Sequence, residues 1–186
     1  RGGTGTTVLT GANTYSGATT VSGGTLTVNG SITNSATTVQ TGATLNGTGT
    51  TGPLTIDSGA FHKPGNSPGI TTVTGNYTEN GQLEIEFGGN GGVAGTDYDQ
   101  VKVVGSGSGT FGATSTLSVP SYLGTAGTFN PTFGQVFTII DNDGAGPTDL
   151  TGTFSNAPVG TAFTVDGKTL KIYYGGNDGN DVILVS

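Results

Sequence analysis

The sequence predicts an all-β, single-domain β-solenoid, a parallel β-helix, with regular N-terminal coils and wider, more hydrophobic C-terminal coils. Three observations carry this expectation. Gly occurs 37 times among 186 residues, Met and Trp are absent, and Thr dominates, a composition poor in helix formers and rich in strand formers. A short strand then repeats: Thr19-Thr20-Val21, Thr37-Thr38-Val39, Leu54-Thr55-Ile56 and Thr71-Thr72-Val73, with its apolar member at positions 21, 39, 56 and 73. This even spacing suits one coil of a β-solenoid better than a helical repeat. Finally, only 9% of residues are charged, against ~25% in ordinary soluble domains. Backbone and hydroxyl groups must therefore solvate the surface, and the scarcity of large side chains implies a thin core.

Residues 1–186 are expected to form one domain, with regular coils of roughly 17 to 18 residues over 1–87 and wider coils and capping strands over 88–186. At the start, Thr6, Thr7, Val8, Leu9 and Thr10 form an uncharged, β-prone run without Pro, the candidate pairing strand at an exposed edge. Asn29-Gly30 and Asn46-Gly47 follow strand-like runs and are expected to supply left-handed corners, because both residue types tolerate positive φ. Two strands and two such turns also fit the length of one repeat, so an array of hairpins stands beside the solenoid as an alternative.

Further along, Gln82-Leu83-Glu84-Ile85-Glu86-Phe87 alternates apolar and acidic residues, one face core and the other water. Strands are also expected at Tyr98–Val104, Thr116–Val119, Val136–Ile140, Phe163–Val165, Thr169–Tyr174 and Asp181–Val185. All eight Phe lie from residue 61 onward, which places the thicker core in the second half.

Charge and composition exclude several functions. A net charge of −7 opposes nucleic-acid binding, which needs a positive face to displace counterions. No apolar run approaches the ~18 residues of a membrane helix, so membrane insertion by this chain is not expected. Without Cys there is neither a disulfide framework nor a thiolate metal site. The chain starts at Arg1 with no apolar leader, as a processed form or a fragment would.

Catalytic constellations are weak, so the expectation is that the chain is not an enzyme. Any Ser-His-Asp arrangement must use the only histidine, His62, which precedes Lys63-Pro64 in an expected turn. Gly105-Ser106-Gly107-Ser108-Gly109 has nucleophile-elbow spacing but no helix to follow it. Glu84 and Glu86 would sit about 6.6 to 6.8 Å apart on one strand face, a spacing that suits inverting glycoside hydrolysis. A solvated outer face accounts for them more simply, as for Asp97 and Asp99 around Tyr98.

No cofactor is expected, with calcium as the exception to examine. Asp141 and Asp143, in Asp141-Asn142-Asp143-Gly144, alternate oxygen ligands before a Gly, although the twelfth loop position, Gly152, offers no carboxylate. Gly175-Gly176-Asn177-Asp178-Gly179-Asn180-Asp181 likewise approximates a calcium nonapeptide in a single copy. Tyr15, Tyr77, Tyr98, Tyr122, Tyr173 and Tyr174 offer rings for glycan stacking if they are exposed.

The stretch from Leu9 to Leu26, Leu-Thr-Gly-Ala-Asn-Thr-Tyr-Ser-Gly-Ala-Thr-Thr-Val-Ser-Gly-Gly-Thr-Leu, resembles the passenger-associated repeat of bacterial autotransporters and related giant surface proteins. Pro64-Gly65-Asn66-Ser67-Pro68-Gly69-Ile70, Gly75-Asn76-Tyr77-Thr78, Asp97-Tyr98-Asp99-Gln100-Val101 and Gly175–Val182 extend the likeness over most of the chain. The resemblance implies a parallel β-helix exported to the bacterial cell surface, serving in adhesion, aggregation or as a spacer. The expected function is thus an extracellular structural protein, with self-association or packing against neighbouring surface-protein repeats. A glycan-binding adhesin stalk is the alternative, its binding loop at 88–97 or 124–134, and a polysaccharide-active enzyme is third.

Overall fold

A computed structural model describes residues 3–122, 129–143 and 150–186. The chain winds through three faces per coil. The first coil holds β1 (Thr6–Leu9) and β2 (Thr19–Val21), with Ala12 bridging to Ser31 on the intervening face. The next three are β3 (Thr25–Val28), β4 (Ser31–Ile32), β5 (Thr37–Val39); β6 (Thr44–Gly47), β7 (Thr50–Thr51), β8 (Leu54–Ile56); and β9 (Phe61–Pro64), β10 (Ile70–Thr74), β11 (Tyr77–Glu79). Wider coils follow: β12 (Gln82–Glu84), β13 (Gln100–Val104), β14 (Gly109–Phe111); then β15 (Thr116–Ser118), β16 (Val136–Asn142), β17 (Leu150–Thr151). The chain ends in β18 (Ala162–Val165), β19 (Lys168–Gly176) and β20 (Asp181–Val185).

Stacking these coils gives three sheets, β1-β3-β6-β9-β12-β15, β4-β7-β10-β13-β16-β20-β19-β18 and β2-β5-β8-β11-β14-β17. All strand pairing among β1 to β17 is parallel, which decides for the solenoid and against the hairpin array; only β20, β19 and β18 join antiparallel. Parallel neighbours need a connection far longer than a two-residue turn, and here each connection is the rest of a coil.

Core ladders explain why the repeat reads as it does. Val21, Val39 and Ile56 are register partners on the third face, and Leu26 and Leu45 on the first; all are buried. Thr at alternate positions faces outward and supplies β-branched propensity without apolar exposure. The fourth repeat departs from expectation: Val73 pairs with Thr51 on the second face, and the partner of Ile56 is Glu79. On the third face the register climbs from Thr19 to Thr37, Leu54, Tyr77, Gly109 and Leu150, a step that is nearly even at first and then lengthens with every coil. The segment Gly65–Gly69, inserted between β9 and β10, breaks the period.

The wider coils are filled by aromatic rings. Phe87 contacts Tyr98, Phe129 and Phe137 at centroid distances of 5.5, 5.3 and 5.1 Å, and Phe111 lies 4.5 Å from Phe154. Such ring pairs add to the area they bury, and they give the second half the thicker core. Corners follow the expected chemistry only in part. Gly47 has φ 111°, whereas Gly30 is not left-handed; its site is closed instead by backbone, since a Cβ there would lie 2.1 Å from the Gly11 oxygen.

The two ends of the stack differ. On the first face the last strand, β15, is closed by a side chain: Asn156 Nδ2 donates to the Leu117 carbonyl at 2.9 Å, and Leu117 N–H donates to Asn156 Oδ1 at 2.9 Å. The amide thus replaces one residue of a neighbouring strand. At the other end β1 pairs with β3 alone among the described residues. Carbonyls of Gly5 and Leu9 accept from Thr25 and Asn29, so strand alternation turns the N–H and C=O groups of Thr6 and Val8 to the outer edge.

Candidate functional site

His62 occupies no turn. It lies in β9, between Leu45 and Leu83 in the apolar ladder of the first face, and is fully buried. Glu79 stands likewise in the third-face ladder between Ile56 and Phe111. Two polar residues in adjacent ladders at one level require a partner, and Tyr77 supplies it. Its hydroxyl donates to Glu79 Oε2 at 2.6 Å and lies 2.9 Å from His62 Nδ1, while Gly81 N–H donates to Glu79 Oε1 at 2.8 Å. The His62 tautomer decides which partner donates in the contact between Nδ1 and the tyrosine oxygen. His62 Nε2 has no hydrogen-bond partner among the described residues.

Burial governs the protonation of this trio. It pushes the Glu79 carboxyl up to about 8, against the pull of Tyr77 and Gly81, and holds the His62 imidazole down at about 3. Burial, reinforced by Glu79, also raises the Tyr77 hydroxyl well above its ordinary value. The trio is thus neutral near pH 7, as a polar network sealed in an apolar core must be. A substrate cannot reach His62, so a nucleophilic triad built on it has no access to one.

Glu84 and Glu86 border a cleft of about 160 Å³ that is also lined by Lys63–Ser67, Asn46 and Asp99. Each carboxylate is engaged. Lys63 Nζ lies 2.8 Å from Glu84 Oε1, and Ser67 Oγ donates to Glu86 Oε2. Asp99 differs from expectation: it is buried rather than on an outer face, and it accepts from Gly69 N–H at 2.7 Å and Glu86 N–H at 2.9 Å. Burial outweighs these two donors and raises its carboxyl to about 7. Its role in the fold is to pin the Gly65–Gly69 insertion onto the strand edge. Asp97 holds the 88–97 loop in a similar way, accepting from Val93 N–H at 2.8 Å.

Asp141 and Asp143 both meet Lys102, whose Nζ lies 2.8 and 2.6 Å from their oxygens. Asn142 between them points the other way and is buried. A calcium ion at this pair would have to displace the lysine. Among the described residues no group of three His, Asp or Glu side chains is arranged to hold a metal. The Gly175–Asp181 run forms the β19–β20 hairpin, where buried Asp181 accepts from Asn142 N–H at 2.9 Å and from Asn177 Nδ2. Gly144 and residues 124–128 of the second candidate loop lie outside the described residues.

Of the tyrosines, Tyr77 and Tyr98 are core, while Tyr15, Tyr122 and Tyr173 are exposed. The candidate pairing strand sits where the stack is open: Thr6–Leu9 form β1, Val8 is 52% exposed, Leu9 packs against the core, and Thr10 follows the strand. The buried trio went unread in the sequence, yet a signal for it existed. One further step of the repeat beyond Leu45 lands on His62, its register partner.

Fold and pairing together define a parallel β-solenoid. The family model described as Passenger-associated-transport-repeat matches residues 2–28, the first coil and the start of the second. That stretch contains the Leu9–Leu26 run that carries the resemblance. No curated protein matches the chain. No helix among the described residues is long and apolar enough to cross a membrane.

Proposed function

We propose that the chain is a structural segment of an exported surface passenger, which extends by stacking further coils on the outer edge of β1. The observation that carries this reading is the asymmetry of the stack. Asn156 closes one end of the first sheet and antiparallel strands close the second, whereas the peptide groups of Thr6 and Val8 face outward from a strand with a partner on one side. An open strand edge is a template for another strand. The passenger-repeat match at 2–28 supports a surface location and supports neighbouring repeats or second copies as the pairing segments. The sealing of His62 and the pairing of Glu84 and Glu86 support a non-enzymatic role.

Electron microscopy with light scattering across concentration tests self-pairing. Ordered assemblies are expected, and Val8→Pro, which removes an outward N–H without touching the bonds to β3, is expected to abolish them with little change in melting temperature. A wild-type chain that stays monomeric at every concentration would remove self-pairing. Assemblies that persist in Val8→Pro would move the interface elsewhere.

A further inference from the structure

The antiparallel cap carries a surface that the fold does not explain. Thr132-Phe133-Gly134-Gln135 is a tight turn in which Gln135 N–H donates to the Thr132 carbonyl at 3.0 Å and Gly134 has φ 78°. That is the geometry of a type II turn, with the obligatory glycine third. Four further hydrogen bonds lock it to Ser186: Gly134 N–H to the Ser186 carbonyl, Ser186 N–H to the Gln135 carbonyl, Gln135 N–H to Ser186 Oγ, and Ser186 Oγ to the Thr132 carbonyl. The turn is therefore rigid, and at its corner the Phe133 side chain is 101% exposed. A phenyl ring held in water by so many bonds gains nothing for folding.

Beside it runs the outer face of β19 and β20. Thr169, Lys171 and Tyr173 alternate with buried Leu170 and Ile172, and register places Lys171 beside Val185 and Tyr173 beside Ile183. Phe133, Thr169, Lys171, Tyr173, Val185 and Ser186 line one groove of about 390 Å³, within the range of small-ligand sites. No Asp or Glu side chain lines it.

Charge singles out the same place. In a chain of net charge −7, Lys63 is neutralised by Glu84 and Lys102 by Asp141 and Asp143. Lys168 and Lys171, both on β19, have no ion-pair partner among the described residues. An uncompensated ammonium thus lines the same groove as two exposed aromatic rings.

We propose that this groove binds an acidic saccharide. The apolar C–H face of a pyranose ring stacks on Tyr173 and Phe133, the sugar carboxylate pairs with the Lys171 ammonium, and the Thr169 hydroxyl bonds a ring hydroxyl. Rigid aromatic rings supply contact area at small entropic loss, and the charge-assisted contact selects the acidic sugar. A second copy fits the groove less well, because an isologous pairing of this face buries Lys171 against a surface that offers no Asp or Glu. The inference does not depend on pairing at β1, which lies at the opposite end of the stack.

The test is titration calorimetry of the whole chain with oligogalacturonate, hyaluronan fragments and sialyllactose, each beside a neutral oligosaccharide of matching length. Binding of at least one acidic probe is expected, with its neutral counterpart about tenfold weaker, the worth of one charge-assisted contact. Lys171→Gln should remove the preference for acid. Tyr173→Ala and Phe133→Ala should remove binding; melting temperature should be unchanged for Phe133→Ala, whose ring is fully exposed, and lowered slightly for Tyr173→Ala, which loses its strand contact with Ile183. Failure of all three acidic probes, or binding indifferent to Tyr173→Ala and Phe133→Ala, overturns the proposal. So does a concentration-dependent dimer that Phe133→Ala dissolves, which would assign the groove to a second copy.

Discussion

At the scale of single residues, stacking brings backbones into contact, and a few glycines make that contact fit. Gly47 has φ 111°, and a Cβ there would lie 2.2 Å from the Val28 oxygen of the coil beneath. Gly47→Ala should combine backbone strain of about 1 to 3 kcal/mol with a clash that separates β6 from β3. Gly42→Ala is the control, because that site is equally left-handed at φ 78° with open space around its Cβ. Denaturant unfolding should show the larger loss for Gly47→Ala; equal losses would mean that coil contact adds nothing. Val73 shows how residue-level likeness misleads. Its Thr-Thr-Val context repeats that of Val21 and Val39, yet it stands on another face. The alternation of a strand is local, whereas its face depends on how much chain the preceding corner consumes.

At the scale of elements, strand ends need partners as much as strand interiors do. Asn156 satisfies both peptide groups of Leu117 on the outer side of β15. Asn156→Ala leaves that edge without its partner and should destabilise by about 1 to 3 kcal/mol, with the Leu117 amide exchanging hydrogen sooner than that of Leu45 in the sheet interior. Asn156→Asp keeps the acceptor for the Leu117 N–H and loses the donor, so amide protection should fall less. If exchange at Leu117 is the same in all three proteins, the side chain is not the cap. Strands in the second half were legible from their alternation: β16 runs Val136–Asn142, β19 Lys168–Gly176 and β20 Asp181–Val185. Tyr98, read as strand, instead bridges Phe87 just before β13 begins at Gln100. The cap on β15 was not legible, since Asn156 lies far along the chain from Leu117, across the whole of β16 and β17.

At the scale of the whole molecule, the buried acids give folding an unusual pH dependence. Glu79 titrates at about 8 and Asp99 at about 7 in the fold, against ~4 in an unfolded chain. The native state keeps protons that the unfolded state has released, so this stabilisation is complete in acid and is lost as pH rises through 7 and 8. His62 works oppositely. Its folded value of about 3 lies below the unfolded 6.5, so its contribution is present above pH 6.5 and is lost as pH falls toward 3. Stability should therefore peak at about pH 4 to 5 and decline toward pH 8. Urea midpoints across pH measure this, and Glu79→Gln should flatten the decline by one proton's worth of slope. A midpoint that rises steadily from pH 5 to 8 would contradict both assignments.

The sequence by itself determined that this chain is all-β, that a short strand repeats with an even period near its start, and that its aromatic mass lies in the second half. These properties follow from composition and from spacing along the chain, which a repeat of Thr, Val and Gly displays directly. Parallel pairing in the tertiary structure decided for coils over hairpins. Tertiary structure alone decided that His62, Tyr77 and Glu79 form one sealed network, that Asp99 is buried, that Lys102 holds Asp141 and Asp143, and that Phe133 stands beside Tyr173 and Lys171. The physical reason is register. Once coils lengthen, from the short step between Thr37 and Leu54 to the long one between Gly109 and Leu150, the residue above another is set by every corner and insertion between them, and no local pattern encodes that sum.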